Sequence, residues 1–421
     1  MPNWLFEFIN PWTTPLAIVT AFIAVAWAFR VRGRWLAIVA LSAAVGVALW
    51  QAWKAGPPNG LLDLQIYTNS ARSWLNGGSI YDYQDPTFHL SATYPPIGPL
   101  LFSALTPFTA DGREVLFTAF NLAAFFGCAW SVAGLARIDS AKRFEWTAWA
   151  FAAGTVTIPV WLTLRQGQIN ILLWLLVLVD LDAMRRSSRW TGIGIGLATA
   201  IKLVPGLFMA WLAVTRRWSS LLRSIAALLI ATAIGWMLAP SDSKRYWTDL
   251  IWHSDRVGSV SDPRNNSALG IVARVIQPGA VRSAIWLALL GAVLLVALVR
   301  SVRASRSNDY LAVAAIVGCA TAVASPISWT HHLGFLLVAL AAFVIHAQTT
   351  RSKILCAIAW LVLVDPGSQG DDPWLSTIRG LMAIGAICFT PIRSLGGDQE
   401  QASDQTETTP SKRETNSALP S

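Results

Sequence analysis

Residues 191–215 read TGIGIGLATAIKLVPGLFMAWLAVT, an apolar run interrupted at its centre by Lys202 and Pro205. The run is long enough for one bilayer crossing, since about 20 apolar residues cover roughly 30 Å of hydrocarbon. Its flanks argue against a crossing. Arg185, Arg186 and Arg189 precede it, and Arg216, Arg217 and Arg223 follow it. A single passage would leave one basic cluster outside, against the tendency of Lys and Arg to stay on the cytoplasmic side. A charge at mid-bilayer also costs about 2.5–3.5 kcal/mol on insertion scales, and proline breaks a helix. A broken hairpin removes both objections. It enters and leaves on the cytoplasmic side, with its tip reaching toward the outer face.

The rest of the chain fits around that hairpin. Of 421 residues, 54% are hydrophobic and only 13% charged, and the mean hydropathy is +0.49. A soluble domain carries roughly 25% charged residues. A secreted globule, a disordered regulator and a nucleic-acid binder are therefore excluded, and the chain reads as an integral membrane protein. The net charge of +9 does not point to nucleic acid, because Lys and Arg sit in short clusters between apolar runs. Many of the 22 tryptophans flank those runs, as in interfacial belts. The four cysteines lie inside apolar runs with no metal-type spacing and read as small core residues. The first run lacks a basic leader and reads as a retained span.

Candidate spans are 15–29, 35–53, 115–136, 146–163, 169–184, 219–239, 281–299, 310–324, 330–348, 353–365 and 374–390. The segment 95–110 is short and carries four prolines, so it reads as interfacial or re-entrant. The expected fold is all-α: a polytopic transmembrane bundle of about a dozen spans, residues 1–390, with a disordered cytoplasmic tail at 391–421. Basic loops at 30–34, 137–143, 185–189, 216–223, 300–306 and 351–353 face the cytoplasm. The long loops 54–94 and 240–280 face outside. In the first, Leu61 to Leu75 has the spacing of an amphipathic surface helix, closed by Asn76-Gly77-Gly78.

The outer loops gather the polar residues that could carry chemistry. Asp63, within an apolar stretch, reads either as a helix-capping Asp or as a general base whose apolar neighbours raise its pKa. Lys202 is an intramembrane cation, which suggests a phosphate contact. Arg165 and Gln168 lie in the 164–170 turn, where an Arg could also merely snorkel. Tyr67, Tyr94, Arg256 and Asn265 are further substrate-binding candidates on the same side. His331 and His332 follow Ser325-Pro-Ile-Ser-Trp329. Adjacent helical histidines point about 100° apart, so they make a poor metal pair, and one facing the site as a donor is the better reading. They could also be interfacial without a role. Asp82 and Asp85 read as turn formers. Gly192-Ile-Gly194-Ile-Gly196 reads as close helix packing rather than a nucleotide loop. Asp180 and Asp182 read as pairing with Arg185 and Arg186. Cations, one placed acid and histidines at an interface suit a lipid phosphate and a proton transfer.

Five stretches in order carry a family resemblance: Asp63-Leu-Gln-Ile-Tyr67; Gly77-Gly78-Ser-Ile-Tyr81-Asp82-Tyr83 with Tyr94-Pro95-Pro96; Gln166-Gly-Gln168-Ile-Asn170; Lys202-Leu-Val-Pro205; and Ser325 through His332. Together they resemble GT-C membrane glycosyltransferases. More narrowly, they resemble the actinobacterial polyprenyl-phosphate-mannose-dependent α-1,2-mannosyltransferases of glycosyltransferase family 87, and among them PimE-type enzymes that extend phosphatidylinositol mannosides. The resemblance spans roughly 55–345. It implies an inverting transferase in the plasma membrane with its site at the outer face. The donor would be a β-linked polyprenyl-phosphate-mannose and the acceptor a mannosylated glycolipid. Asp63 would be the catalytic base, and His331 or His332 would lie in the site. No cofactor is implied. A sugar nucleotide is not expected as donor, because nucleotide sugars are cytoplasmic. The family often has Asn-Gly-Gln where this chain has Arg165-Gln-Gly-Gln168. Two other readings compete: a flippase or transporter of polyprenyl phosphate or glycolipid, for which no internal repeat is visible, and a transferase using another prenyl-linked sugar such as arabinose.

Overall fold

The computed structural model describes residues 23, 33–54, 61–364 and 373–393. The expected span at 15–29 and the expected tail lie outside the described residues, apart from Ile23 and 391–393. Among the described residues every regular element is helical. In chain order these are α1 (Arg34–Lys54), α2 (Leu62–Leu75), α3 (Ile97–Leu101), α4 (Ala110–Leu135), α5 (Ser140–Thr155), α6 (Ile158–Gln166), α7 (Asn170–Arg185), α8 (Ile193–Ile201) and α9 (Gly206–Val214). There follow α10 (Trp218–Leu238), α11 (Pro240–Thr248), α12 (Ala268–Ala273), α13 (Ala280–Arg306), α14 (Tyr310–Ala324), α15 (Phe335–His346), α16 (Thr350–Leu363) and α17 (Pro373–Phe389). By length and composition, α4, α10 and α13 each qualify alone as membrane spans. Residues 34–50, α14, α15 and α17 are shorter apolar helices.

Polar side chains mark several helix starts. Thr109 accepts from the Gly112 N–H at α4, Asp139 from Ala141 at α5, and Asp309 from Ala312 at α14. The expected span at 146–163 is instead two helices, α5 and α6, bent by 71°. Thr157 is extended there and Pro159 opens α6; proline cannot donate back into the preceding turn. The span expected from 330 begins at Phe335, because Thr330–His332 form a 3₁₀ turn. The prolines at 95–107 yield only the short α3 and a 3₁₀ turn, Phe102–Leu105.

The segment 191–215 breaks where Lys202 takes an extended conformation and Pro205 precedes α9. Its two ends meet. Thr191 Oγ1 lies 2.7 Å from Ser220 Oγ, and the Arg223 Nε donates to the Thr191 carbonyl at 2.7 Å, while α9 leads into α10 through the turn at 215–217. This is the hairpin the charges required. Gly192 and Gly196 press against the Ser220 and Ser224 carbonyls with no room for a Cβ. The facing stripe of α10 is small: Ser220, Ser224, Ala227, Ala231 and Gly235 are its buried residues, as expected for close packing in lipid. With nine residues, α8 rises only about 14 Å before the break. The 21 residues of α10 run about 32 Å alongside. Lys202 therefore stops part-way up the bundle.

The core is built on α14, whose residues 310–323 are buried on every side. At the end where the hairpin opens, Arg217 bonds Ser305, Arg393 bonds the Ala136 carbonyl, and Asp182 pairs with Arg185 and Arg186. The basic loops at 137–143, 185–189, 216–223 and 300–306 thus gather at one end. Asp180 departs from the expected ion pairing. Its carboxylate accepts from the Gly192 and Ile195 N–H groups and closes the start of α8.

Candidate active site

Asp63 is the second residue of α2, and no side chain caps that helix; the capping position is Leu61. The helix is held from outside by Glu114 on α4, whose carboxylate accepts from the Leu61 N–H and from Gln65 Nε2. This frees Asp63 from a capping role. Facing it is the turn between α6 and α7. Gly167 ends α6 with φ +69°, and a Cβ there would lie 2.5 Å from Leu64 Cβ and 2.9 Å from Leu61 Cβ. Only glycine satisfies both the left-handed conformation and this contact. The contact brings Gln168 onto α2. Its Nε2 donates to Asp63 Oδ2 at 2.7 Å, and its Oε1 accepts from the Tyr94 hydroxyl at 2.5 Å. Burial pushes the Asp63 carboxyl up to about 6, against the Gln168 hydrogen bond and, whenever Lys202 is protonated, the charge of its ammonium, which pull it down.

Tyr94 begins the Pro-Pro turn and stacks on Tyr67, with ring centroids 4.4 Å apart. The Tyr67 hydroxyl meets Thr93 Oγ1 at 3.1 Å, and burial keeps both phenols neutral. Gly98 lets this turn sit against the Ile201 carbonyl at the hairpin tip; a Cβ would be 3.1 Å from it. Next in the chain, Lys202 places its Nζ 4.9 Å from the centre of the Tyr94 ring, 3.1 Å from Asn170 Oδ1 and 3.0 Å from His332 Nε2. Asn170 Nδ2 donates to the His331 carbonyl at 3.2 Å. The two histidine rings stand at 87° with centroids 4.7 Å apart. His332 reaches Lys202, whereas His331 is buried with its Nε2 unpartnered.

The structure thus joins Asp63 and Tyr67 of α2 with Tyr94, Gln168, Lys202 and His332, six residues from five separate stretches. Arg256 borders this group: it donates to the Ala92 carbonyl at 2.8 Å and lies over the Tyr81 ring, and Tyr81 donates to the Tyr94 carbonyl. Arg165 sits in the last turn of α6, half-buried, three residues before Gln168. Asn265 stands differently, because its amide is fully engaged within the protein. Its Oδ1 accepts from the Ser328 and Ser267 N–H groups, and its Nδ2 donates to the Val260 and Pro326 carbonyls. Asp85 is a turn former, accepting from Thr87 and Phe88, and Asp82 pairs with Arg245. Sequence reasoning gave no role to Asn170 or Glu114. An acid opening an apolar run was the available signal for Glu114.

Chemically, the group offers one buried carboxylate with a single hydrogen bond, and beside it a lysine, a histidine and amide donors. The carboxylate can accept a proton, and the neighbouring donors can hold an anion. The sequence pattern of glycosyltransferase family 87 matches residues 92–326. A polyprenol-phosphate-mannose-dependent alpha-(1-2)-phosphatidylinositol mannoside mannosyltransferase of Mycobacterium tuberculosis is 30% identical over 317 residues, covering 70% of this chain and 73% of that protein. The corresponding phosphatidylinositol pentamannoside mannosyltransferase of Mycolicibacterium smegmatis is 29% identical over 336 residues, covering 77% of this chain and 79% of that protein. A more distant relative, an alpha-(1->3)-arabinofuranosyltransferase of Corynebacterium glutamicum, is 28% identical over 248 residues, covering 57% of this chain and 55% of that protein. No solved structure gives a significant match.

Proposed function

Because this chain belongs to glycosyltransferase family 87, we propose that it moves mannose from polyprenyl-phosphate-mannose to a hydroxyl of a phosphatidylinositol mannoside or related lipoglycan, forming an α-1,2 linkage. The observation that carries the reading is the Asp63 carboxylate, oriented by Gln168 through one oxygen and set beside Lys202. A β-linked donor and an α-linked product differ by one inversion. The acceptor oxygen attacks the anomeric carbon opposite the phosphate, the bond from that carbon to the phosphate oxygen breaks, and Asp63 takes the hydroxyl proton. A base with a pKa near 6 is mostly ionised at neutral pH yet stronger than an exposed carboxylate. Prenyl phosphate leaves without protonation, so the carboxyl pair of glycoside hydrolysis is not needed. Lys202 and His332 offset the charge that develops on the phosphate, with Arg165 and Arg256 as bordering cations. Asn265 acts on substrate only through the loop it holds.

The basic loops lie at the end where the hairpin opens, away from its tip. Placed by the positive-inside rule, that end is cytoplasmic and the site faces the outer side of the plasma membrane. In this reading the shorter apolar helices are spans as well, giving a GT-C bundle of about a dozen. The arabinofuranosyltransferase relative favours one second reading, transfer of prenyl-linked arabinose. The test is transfer by the purified protein from each prenyl-phosphate sugar to a lipid mannoside. The expected result is an α-1,2-mannosylated product from the mannose donor alone. Transfer from the arabinose donor only would replace the proposal with the second reading, and no transfer together with transbilayer movement of the donor would make the protein a flippase.

A further inference from the structure

His332 is held at both ring nitrogens. Its Nδ1 accepts from the Trp329 N–H at 3.2 Å, and its Nε2 faces Lys202 Nζ at 3.0 Å. A backbone N–H can only donate, so Nδ1 carries no proton and the ring's one proton lies on Nε2, aimed at Lys202. An ammonium group has no lone pair to receive it. A neutral amine has one lone pair and two N–H donors, and the surroundings match that count. The lone pair receives the Nε2–H, one N–H goes to Asn170 Oδ1, and the other faces the Tyr94 ring. None of these three contacts is an anion, so an ammonium buried among them would have no ion-pair partner and only the charge of Asp63, acting without contact, to offset its burial.

We propose that Lys202 rests as a neutral amine and takes up one proton from solvent when the phosphate of the donor binds, with the Trp329 N–H, acting through His332, setting this coupling. This rests on the transferase reading above. The donor phosphodiester brings one negative charge. The amine gains a proton, the ammonium turns to the phosphate oxygens, and the His332 Nε2–H is released to donate to the same group. The enzyme thus has its countercharge in place before the leaving phosphate acquires its second charge. Asp63 on α2 acts on Lys202 through its charge and favours the ammonium. Tyr94 of the Pro-Pro turn and His331 and His332 of the 3₁₀ turn are the other titratable neighbours, Arg264 adds positive charge on the His331 side, and α7 presents only the uncharged Asn170.

The experiment is calorimetric titration of the wild-type protein with a short-chain prenyl-phosphate-mannose, without acceptor, at pH 8 in two buffers of different ionisation enthalpy. The ligand is a phosphodiester with no proton to exchange in this range. The expected result is uptake of about one proton per donor bound, with Kd weakening by up to about tenfold per pH unit as pH rises, and no uptake in Lys202→Met. Binding without uptake overturns the proposal and leaves the transferase reading standing. Uptake that persists in Lys202→Met also overturns it, by placing the proton elsewhere. Failure of the donor to bind the wild type removes the transferase reading and this proposal together. Nitrogen-15 NMR of the histidine-labelled, donor-free protein, with His332 identified by the signal lost in His332→Gln, should show a protonated Nε2 and a bare Nδ1; the opposite tautomer contradicts the proposal.

Discussion

Two buried polar clusters meet through the loop at 325–332, and they use their hydrogen bonds in opposite ways. Around Asn265 the amide makes four bonds to backbone groups, and the Asn266 N–H and side-chain amide both reach the Ser328 carbonyl. Nothing on the Asn265 amide is left to offer a ligand. Around Asp63, Gln168 engages one carboxylate oxygen and no described residue engages the other. His331 keeps a buried nitrogen without a partner, and Lys202 contacts only neutral groups. Buried polar groups are normally satisfied, so those left open in a native protein call for a ligand, a water or a chemical role. The fully bonded Asn265 amide is scaffold, although Asn266 Oδ1 and Ser328 Oγ beside it are unpartnered, and the open carboxylate of Asp63 is where we propose that substrate completes the bonding.

Substitution can break that contrast. Asp63→Asn keeps the size and one acceptor oxygen but removes the proposed base, and kcat should fall by roughly 10²–10⁴ with the thermal midpoint unchanged. An equally active variant would make Asp63 a structural residue. Asn265→Ala should do the reverse. It strands the Ser328 and Ser267 N–H groups, at a cost of about 2–4 kcal/mol in stability, while transfer per folded molecule stays within a few-fold; thermal unfolding and kcat measured on the same preparation separate the two effects. The smallest change is Tyr67→Phe, which deletes the hydroxyl's contacts to Thr93 and Tyr94 and keeps the ring stack on Tyr94. It should cost about 1 kcal/mol of stability and less than a threefold loss in kcat. A large activity loss would place the Tyr67 hydroxyl on the substrate and extend the open cluster to it.

Local features of this architecture were legible, and distant partnerships were not. Basic residues on both sides of 191–215 demanded a hairpin, and the glycine stripe demanded close packing; both depend on properties the chain carries locally. The end of α2 could be read from Asn76-Gly77-Gly78 for the same reason, and Gly77 indeed takes φ +84°. The bend before Pro159 was not read, because hydropathy runs smoothly across 146–163 and suggests one span. Asn265 looked like a ligand-binding amide because its partners at 326 and 328 lie some 60 residues away. Asp180 sat beside two arginines in sequence, yet the turn into α8 offered it backbone donors at closer range. Which histidine faces Lys202 depended on a 3₁₀ turn, where the 100° rule for α-helices does not apply.

The proposed base is the Asp63 carboxylate, oriented by Gln168. The most direct test is the pH dependence of kcat/KM for mannosyl transfer in the wild type and in Gln168→Leu. A buried base must be ionised to act, so activity is present above its pKa and lost as pH falls through it. The wild-type acid limb should lie at about 6, dropping about tenfold per pH unit below it. The Gln168 hydrogen bond favours the ionised form against burial, so its loss should move that limb to higher pH. An acid limb that stays in place when Gln168 is replaced would mean that the titrating base is a group other than Asp63.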